Sequence, residues 1–389
     1  MSVPRKDPAT GTWMFVVDLG IGGDGKRRQA KRRGFATKAE AQAVLDELRV
    51  DVRKGNYVAP VRQTFADYLT NTWLPAIRAT IEKSTYESYA RNVRLHIIPG
   101  LGGIPLQQLD APMLNRFYAD LLEHGRKDGK PGGLSARTVR YIHTIVGRAL
   151  REAVDWEKLV KNVAPKAGPP SASSAKSPEM KTWDAPTLAR FLDELREDRH
   201  QPAWLFLATT GCRRGEALGI RWADVDLDKA HVLLFQTISA INHEIVIAPR
   251  TKSGKPRPIE IDAATVAALR AVRKRQAEER LLLGPDYKDH DLVFARADGS
   301  PQHPEHFSNA FERRVARYKF PRIRLHDLRH TWATLALQAG VDVKIVSERL
   351  GHTSTKITWD IYQHVTPVMQ ADAAETVARL IFGPPAETG

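Results

Sequence analysis

The sequence predicts a multidomain α+β protein in which a small β-rich unit, an all-α domain and a mixed α/β domain follow one another. Three observations carry this prediction. At 389 residues the chain is too long for one ordinary domain. Two seams interrupt it, Val58-Ala-Pro-Val-Arg62 and the Pro/Ser/Ala/Lys-rich stretch from Ala164 to Pro178, the second with the composition of a flexible linker. The patterning is strand-like and basic before the first seam, helical between the two, and mixed after the second. The expected boundaries are residues 1–56, 62–163, a linker over 164–179, and 180–389.

Composition narrows the partners. With 42% apolar and 27% charged residues the chain can build real cores, and its formal charge is +14. Such a surplus attracts polyanions, nucleic acid above all, although a merely soluble basic surface has the same count. There is one cysteine, Cys212, so no intramolecular disulfide can form. The opening MSVPRKDPATG lacks a secretory apolar stretch. No run approaches the roughly 20 apolar residues of a membrane span. A cytoplasmic protein without membrane contact is expected.

The elements follow in order. Trp13-Met-Phe-Val-Val-Asp-Leu19 is strand-like, Gly20 to Gly25 is a turn, and a second extended stretch carries Lys26, Arg27, Arg28, Lys31, Arg32 and Arg33. Gly20-x4-Gly25-Lys26 lacks the Ser or Thr and the apolar helix of a phosphate-cradling loop. From Thr37 to about Lys54 a helix places Ala41, Val44, Leu45 and Leu48 on one face. In the middle block Ser84-Thr-Tyr-Glu87 reads as a capping box and Asp110-Ala-Pro112 as a helix start. The helix after Ser135 lines up Val139, Ile142, Ile145, Val146, Leu150 and Val154. Arg137, Arg140, His143, Arg148 and Arg151 lie largely on its remaining surface, as a solvated face or as phosphate contacts. In the last block Val232–Ser239, Glu244–Ala248 and Pro256–Ile261 read as three strands. Helical stretches at Ala185–Leu195 and Ala263–Arg280 flank them.

That last block holds an inventory suited to one kind of chemistry. Breaking a phosphodiester without metal needs cations against its non-bridging oxygens, a side-chain nucleophile if the bond energy is to be kept, and a proton for the leaving oxygen. Thr210-Gly-Cys-Arg213-Arg-Gly-Glu216 is the first element. Leu325-His326-Asp-Leu-Arg329-His330-Thr331 puts a His and an Arg one helical turn apart. Leu350-Gly-His352, followed ten residues on by Tyr362 and then His364, completes the set.

With these motifs in order and spacing, the sequence closely resembles the tyrosine recombinase (bacteriophage-type integrase) family. Tyr86, Tyr89, His96-Ile-Ile-Pro99-Gly-Leu-Gly102 and Leu109-Asp110 look like that family's core-binding domain, so the resemblance runs from about Thr64 to Thr366. The basic β-unit resembles, more loosely, an arm-binding domain. The resemblance implies that Arg213 and Arg329 clamp the scissile phosphate, since guanidinium forks suit bidentate phosphate contact. It implies that His326 and His352 bond the phosphate or handle the nucleophile's proton, and that Tyr362 attacks phosphorus. The general-acid lysine would be Lys252, on the turn Arg250-Thr-Lys252-Ser-Gly254-Lys255, with Lys255 as competitor. Arg214 is one register off and should point elsewhere. Glu216 should orient or pack near Arg213, His330 and His364 should support the site from behind, and Cys212 reads as a buried small hydrophobe. No cofactor and no metal site are expected.

The resemblance further implies an arm-binding unit, a helical core-binding domain and a catalytic domain closing around double-stranded DNA at attachment sites, in a homotetramer, with host bending and directionality factors as possible partners. The stretch Val368–Phe382 has Ala374, Val377, Leu380 and Ile381 at helical spacing, and would dock on its own domain or be exchanged with a neighbour. Alternatives are a Xer-like resolvase, a type IB topoisomerase-like enzyme, or a non-catalytic basic DNA-binding regulator.

Overall fold

In the computed structural model the chain divides into two units, Met1–Ser177 and Pro178–Gly389. The described residues are 3–21, 27–53, 57–175, 180–248, 256–351, 381 and 383.

The first unit opens with an antiparallel sheet of β1 (Arg5–Lys6), β2 (Trp13–Ile21) and β3 (Arg27–Phe35), in the order β1-β2-β3. Phe15, Val17 and Ala30 point to one face and pack on Ala41 and Leu45 of helix α1 (Lys38–Arg53), with Val44 and Leu48 beside them. The two expected strands pair antiparallel and the expected helix follows, whereas residues 22–25 of the expected turn lie outside the described residues.

A separate all-helical core follows. Phe65–Tyr68, Leu69–Trp73 and Leu74–Ile77 run on as one helical stretch, capped by the Thr64 hydroxyl accepting from Asp67 N–H at 3.1 Å. Helix α2 spans Lys83–Asn92 with Glu82 at its cap. The capping box expected at Ser84 is therefore displaced: Tyr86 N–H already bonds the Glu82 carbonyl, so the ladder starts before Ser84. Asp110 does cap α3 (Ala111–His124), accepting from Met113 N–H at 2.7 Å. Ser135 caps α4 (Ala136–Asp155), whose buried face is Val139, Ile142, Ile145, Val146, Ala149, Leu150 and Ala153.

The stretch expected to be linker begins as part of this unit. Ala164 is buried in the helical core. Gly168 N–H donates to Asn115 Oδ1 at 2.7 Å, and Arg140 donates to the Pro170 carbonyl at 2.6 Å. Composition missed this because small residues that look flexible also fit flat against a helix pair.

The second unit contains α5 (Ala185–Glu194), α6 (Gln201–Thr210), α7 (Arg214–Leu218), strands β4 (Val225–Asp226), β5 (His231–Leu234), β6 (Thr237–Ile241), β7 (Glu244–Ala248) and β8 (Arg257–Glu260), then α8 (Ala263–Leu283), α9 (Pro304–Arg317), α10 (Asp327–Gln338) and α11 (Val343–Leu350). Its core is strongly aromatic around Phe191, with the ring centroids of Trp183, Trp204, Phe311 and Phe320 within 5.8 Å of its own. Helix α6 is apolar nearly all round because it runs through that core.

The β-region differs from expectation. The single strand read at Val232–Ser239 is two strands in two sheets: β5 belongs to the sheet β4-β5-β8, while β6, among the described residues, pairs with β7. Between them, the side-chain amide of Gln236 donates to the Gly219 carbonyl at 3.0 Å. Pro258 is tolerated because β8 is an edge strand.

Helix α4 generates a prediction. Arg148 pairs with Glu152 (Nε–Oε1 2.8 Å) and lies over the Tyr89 ring, while Trp73 Nε1–H donates to the other Glu152 oxygen at 2.6 Å. Arg148 thus serves the core's polar edge, and this commitment argues against the DNA-contact role expected for it. Arg148→Ala should lower the stability of the helical domain by about 2–4 kcal/mol, since a half-buried carboxylate loses its cation; thermal unfolding of the purified protein checks it.

Candidate active site

The site grows from the end of α6. The helix stops at Gly211, in the left-handed region at φ +65°. A Cβ there would lie 2.6 Å from the Trp332 ring and 2.9 Å from Leu350, so glycine is required both by the turn and by the close approach. The next residues place Cys212 in the core and Arg213 at the cap of α7.

Glu216, in the first turn of α7, is buried. One carboxylate oxygen accepts from Arg213 NH1 at 2.8 Å. The other accepts from the Arg213 backbone N–H at 2.9 Å and from Arg257 NH2 at 3.0 Å. Burial pushes this carboxyl up, but Arg257 first and then Arg213 outweigh it and hold it below the ordinary value. Arg214 points elsewhere, to Ser308 Oγ at 2.7 Å, as its register predicted.

Arg329 comes from α10 and is buried. Its guanidinium donates to the Gly211 carbonyl at 2.8 Å and to the Leu350 carbonyl at 2.6 Å. Arg213 NH2 donates to the Gly351 carbonyl at 3.0 Å. The two arginines therefore hold the last carbonyls of α11, the negative end of that helix. Burial, aided by the charge of Arg213, pushes Arg329 down to about 10, still a cation at neutral pH. Three segments far apart in sequence, Gly211–Glu216, the first turn of α10 and Leu350–Gly351, meet through these bonds.

His326 stands at the cap of α10, one turn from Arg329, with its ring perpendicular to that of His330 at 5.3 Å. Although the residue is exposed at the surface, partial desolvation by the protein packed around the ring, then His330 and Arg329, push its pKa down to about 4. It is neutral at physiological pH and can accept a proton or bond an anion through N–H. Asp327 fixes the preceding loop by taking Arg324 NH2 at 2.8 Å. Cys212 is buried, and burial pushes its thiol up to about 12.

Of the expected catalytic residues, Arg213, His326 and Arg329 are thus gathered around α10 and the end of α11. Lys252, His352 and Tyr362, with Lys255 and His364, lie outside the described residues, as does most of the expected tail helix, Val368–Phe382. The hairpin β6–β7 leads into residues 249–255, and its root is pressed on α7: a Cβ at Gly215 would meet the Ile238 carbonyl and the Thr237 hydroxyl, each at 2.6 Å. Sequence reasoning missed Arg257. The signal was a cation two residues before Ile259, in the inward register of a short strand. Among the described residues no cluster of three or more His, Cys, Asp or Glu could hold a metal ion.

The expected DNA-binding cations are distributed differently from one patch. Lys31 and Arg33, exposed, alternate with Ala30 and so take the sheet face opposite the core, whereas Arg32 shares the face of Ala30. Arg27 is exposed and paired with Asp18, its Nε–H donating at 2.8 Å. Lys26 and the side chain of Arg28 lie outside the described residues. On α4, Arg137 is exposed, Arg140 is tied to Pro170 and Arg148 to Glu152.

The His326 geometry predicts a pH dependence. Its folded value, about 4, lies below the ordinary 6.5, so protons bind the unfolded chain more tightly. The stability associated with the neutral ring is complete above pH 6.5 and is lost as pH falls from 6.5 towards 4. Melting temperature measured across that window should fall, and His326→Gln should flatten part of the slope.

Three family matches follow the chain in order: an arm DNA-binding domain over residues 4–52, the N-terminal SAM-like domain of phage integrases over 64–122, and the phage integrase family over 181–368. A tyrosine recombinase XerC-like protein of Caldanaerobacter subterraneus subsp. tengcongensis is 27% identical over 387 residues, covering 95% of this chain and 96% of the relative. The ICEBs1 integrase of Bacillus subtilis is 24% identical, covering 94% and 97%. In fold, the chain is similar to the Tn1549 transposon integrase in complex with a circular intermediate DNA (TM-score 0.66, 19% identity, 81% of this chain and 100% of that one). It is also similar to the lambda integrase in a tetramer bound to a Holliday junction (0.57, 15%, 92% and 91%). With its motifs joined at one site and all three family domains in order, the chain belongs to the phage integrase family of tyrosine recombinases.

Proposed function

We propose that the protein integrates or excises a mobile element, cutting and rejoining DNA at attachment sites through a covalent 3′-phosphotyrosine at Tyr362. The observation that carries this reading is the pair of arginines, Arg213 and Arg329, held together on the Leu350–Gly351 carbonyls one residue before His352. A scissile phosphate on these cations would have its non-bridging oxygens neutralised by preorganised donors. The Tyr362 oxygen attacks phosphorus, the bond to the 5′-oxygen breaks, and Lys252 supplies the proton that oxygen needs. The phenolic proton passes to a histidine, His326 or His352. Rejoining is the reverse, so the phosphodiester energy is conserved and no ATP is required.

The three family matches support a division of labour: residues 1–56 on accessory arm sequences, 62–163 on the core site with its packed extension to Pro170, and 180–389 in catalysis. The open face of the β1–β3 sheet, with Lys31 and Arg33, suits phosphate contact. Relatives captured with DNA, one of them in a tetramer on a Holliday junction, support double-stranded DNA as partner and a homotetramer as working assembly; host bending and directionality factors rest on the family resemblance alone. Among the described residues no helix is long and apolar enough to cross a membrane.

Two measurements test the reading. Tyr362→Phe should bind DNA with unchanged affinity and form no covalent complex on a nicked suicide substrate; normal trapping would refute the assignment. Lys252→Ala should cleave ordinary DNA at least about 10²-fold more slowly and recover on a 5′-bridging phosphorothiolate, whose sulfur leaves unprotonated. Rescue of Lys255→Ala instead would move the role to that lysine.

A further inference from the structure

We infer that Arg257 is a positioning residue for cleavage: it balances the buried Glu216 carboxylate, so that the charge of Arg213 remains available to the phosphate. The inference rests on the reading of Arg213 as a phosphate clamp.

Glu216 is almost wholly buried, its side chain 3% exposed, and a carboxylate taken out of water must be neutralised locally. Arg213 alone could do this, since its NH1 and its backbone N–H both reach the carboxylate. A guanidinium spent in that way offers a phosphate little net charge. Arg257 changes the balance. Its NH2 lies 3.0 Å from the Glu216 oxygen that also takes the Arg213 backbone N–H, and its side chain is only 15% exposed against 35% for Arg213. The carboxylate therefore has a deeper partner in Arg257 and a more exposed one in Arg213. Two cations thus pair with one anion; without Arg257, Arg213 alone would.

Arg257 also fills the space under the turn that leads to His352. A Cβ on Gly351, at φ +63°, would fall 1.7 Å from Arg257 NH1 and 3.7 Å from Arg213 NH1. The same guanidinium thus touches the carboxylate that aligns Arg213 and the glycine whose carbonyl Arg213 holds. Its Nε–H is buried with no acceptor among the described residues, in keeping with a site that carries more cation than acceptor until an anion arrives.

The test uses the full-length protein and a nicked suicide duplex bearing the sequence that protein selects from a random pool. Single-turnover formation of covalent complex at saturating protein is read beside binding affinity. Arg257→Gln should slow cleavage about 10²-fold and change affinity less than threefold. Arg257→Lys, which keeps the charge, should stay within tenfold of wild type. Adding Glu216→Gln to Arg257→Gln removes the unbalanced carboxylate while keeping one acceptor for Arg213, and should cleave faster than Arg257→Gln alone. A merely structural role would not produce that recovery. Wild-type cleavage by Arg257→Gln, or a double variant no faster than the single, overturns the inference. Should Arg257→Gln fail to fold, the comparison of Arg257→Lys with the double variant decides: both must cleave, and neither doing so overturns it. Arg213→Ala is the control. If it cleaves normally, the phosphate-clamp reading itself fails; if it is inactive while Arg257→Gln is normal, only the role of Arg257 fails.

Discussion

One buried carboxylate organises the catalytic unit. Glu216 cannot leave its pocket cheaply, because an ion of its size loses several kcal/mol on desolvation unless fully bonded. Its bonds therefore dictate where the chain segments sit: the cap of α7 through the Arg213 N–H, the arginine side chain itself, and the edge strand β8 through Arg257. From Arg213 the constraint passes to Gly351, and from Arg329 to Gly211 and Leu350. Five segments of chain are thus fixed by one set of charge-assisted bonds, which are stronger and more directional than neutral ones. Preorganisation of this kind is what electrostatic catalysis requires, since donors that must first be arranged return little of their binding energy to the transition state.

Much of this was legible in the sequence as pattern, and less of it as cause. The order of T-G-x-R-x-G-E, H-x-L-R-H and L-G-H singles out Arg213, Arg329 and His326, which the structure gathers around α10 and the end of α11. The reasons for the glycines emerge only in space. Gly211 has a left-handed backbone and the Trp332 ring against it, and Gly351 has Arg257 in the volume a side chain would fill. Neither neighbour is close in sequence, so no local rule could name them.

The misreadings have a common physical origin. Period and propensity describe a segment's relation to an apolar face, and they are blind to single side chain–backbone bonds. One apparent strand is two, since β5 pairs with β8 and β6 with β7, and between them the Gln236 side chain bonds the Gly219 carbonyl. Ser84 looks like a cap, yet the helix ladder begins at Glu82. Arg148 reads as part of a cationic face, whereas Glu152 and Tyr89 draw it into the core's edge. The basic run of β3 reads as one patch in a linear count, while the pleat sends Lys31 and Arg33 one way and Arg32 the other. Helices with long apolar stripes, α1 and α4, were read nearly to the residue, because there burial alone decides.

The single cysteine of the chain, Cys212, sits one peptide bond from Arg213 and is sealed in the aromatic-rich core. A thiolate at that position would bring a second anion among the arginines and weaken their pull on phosphate. Burial prevents this by keeping the sulfur protonated far beyond physiological pH. The same seal turns the residue into a natural reporter. An alkylating reagent can reach it only when the core around the arginines opens, so the rate at which the one thiol is labelled counts those openings, in a molecule with no other sulfhydryl to confuse the signal.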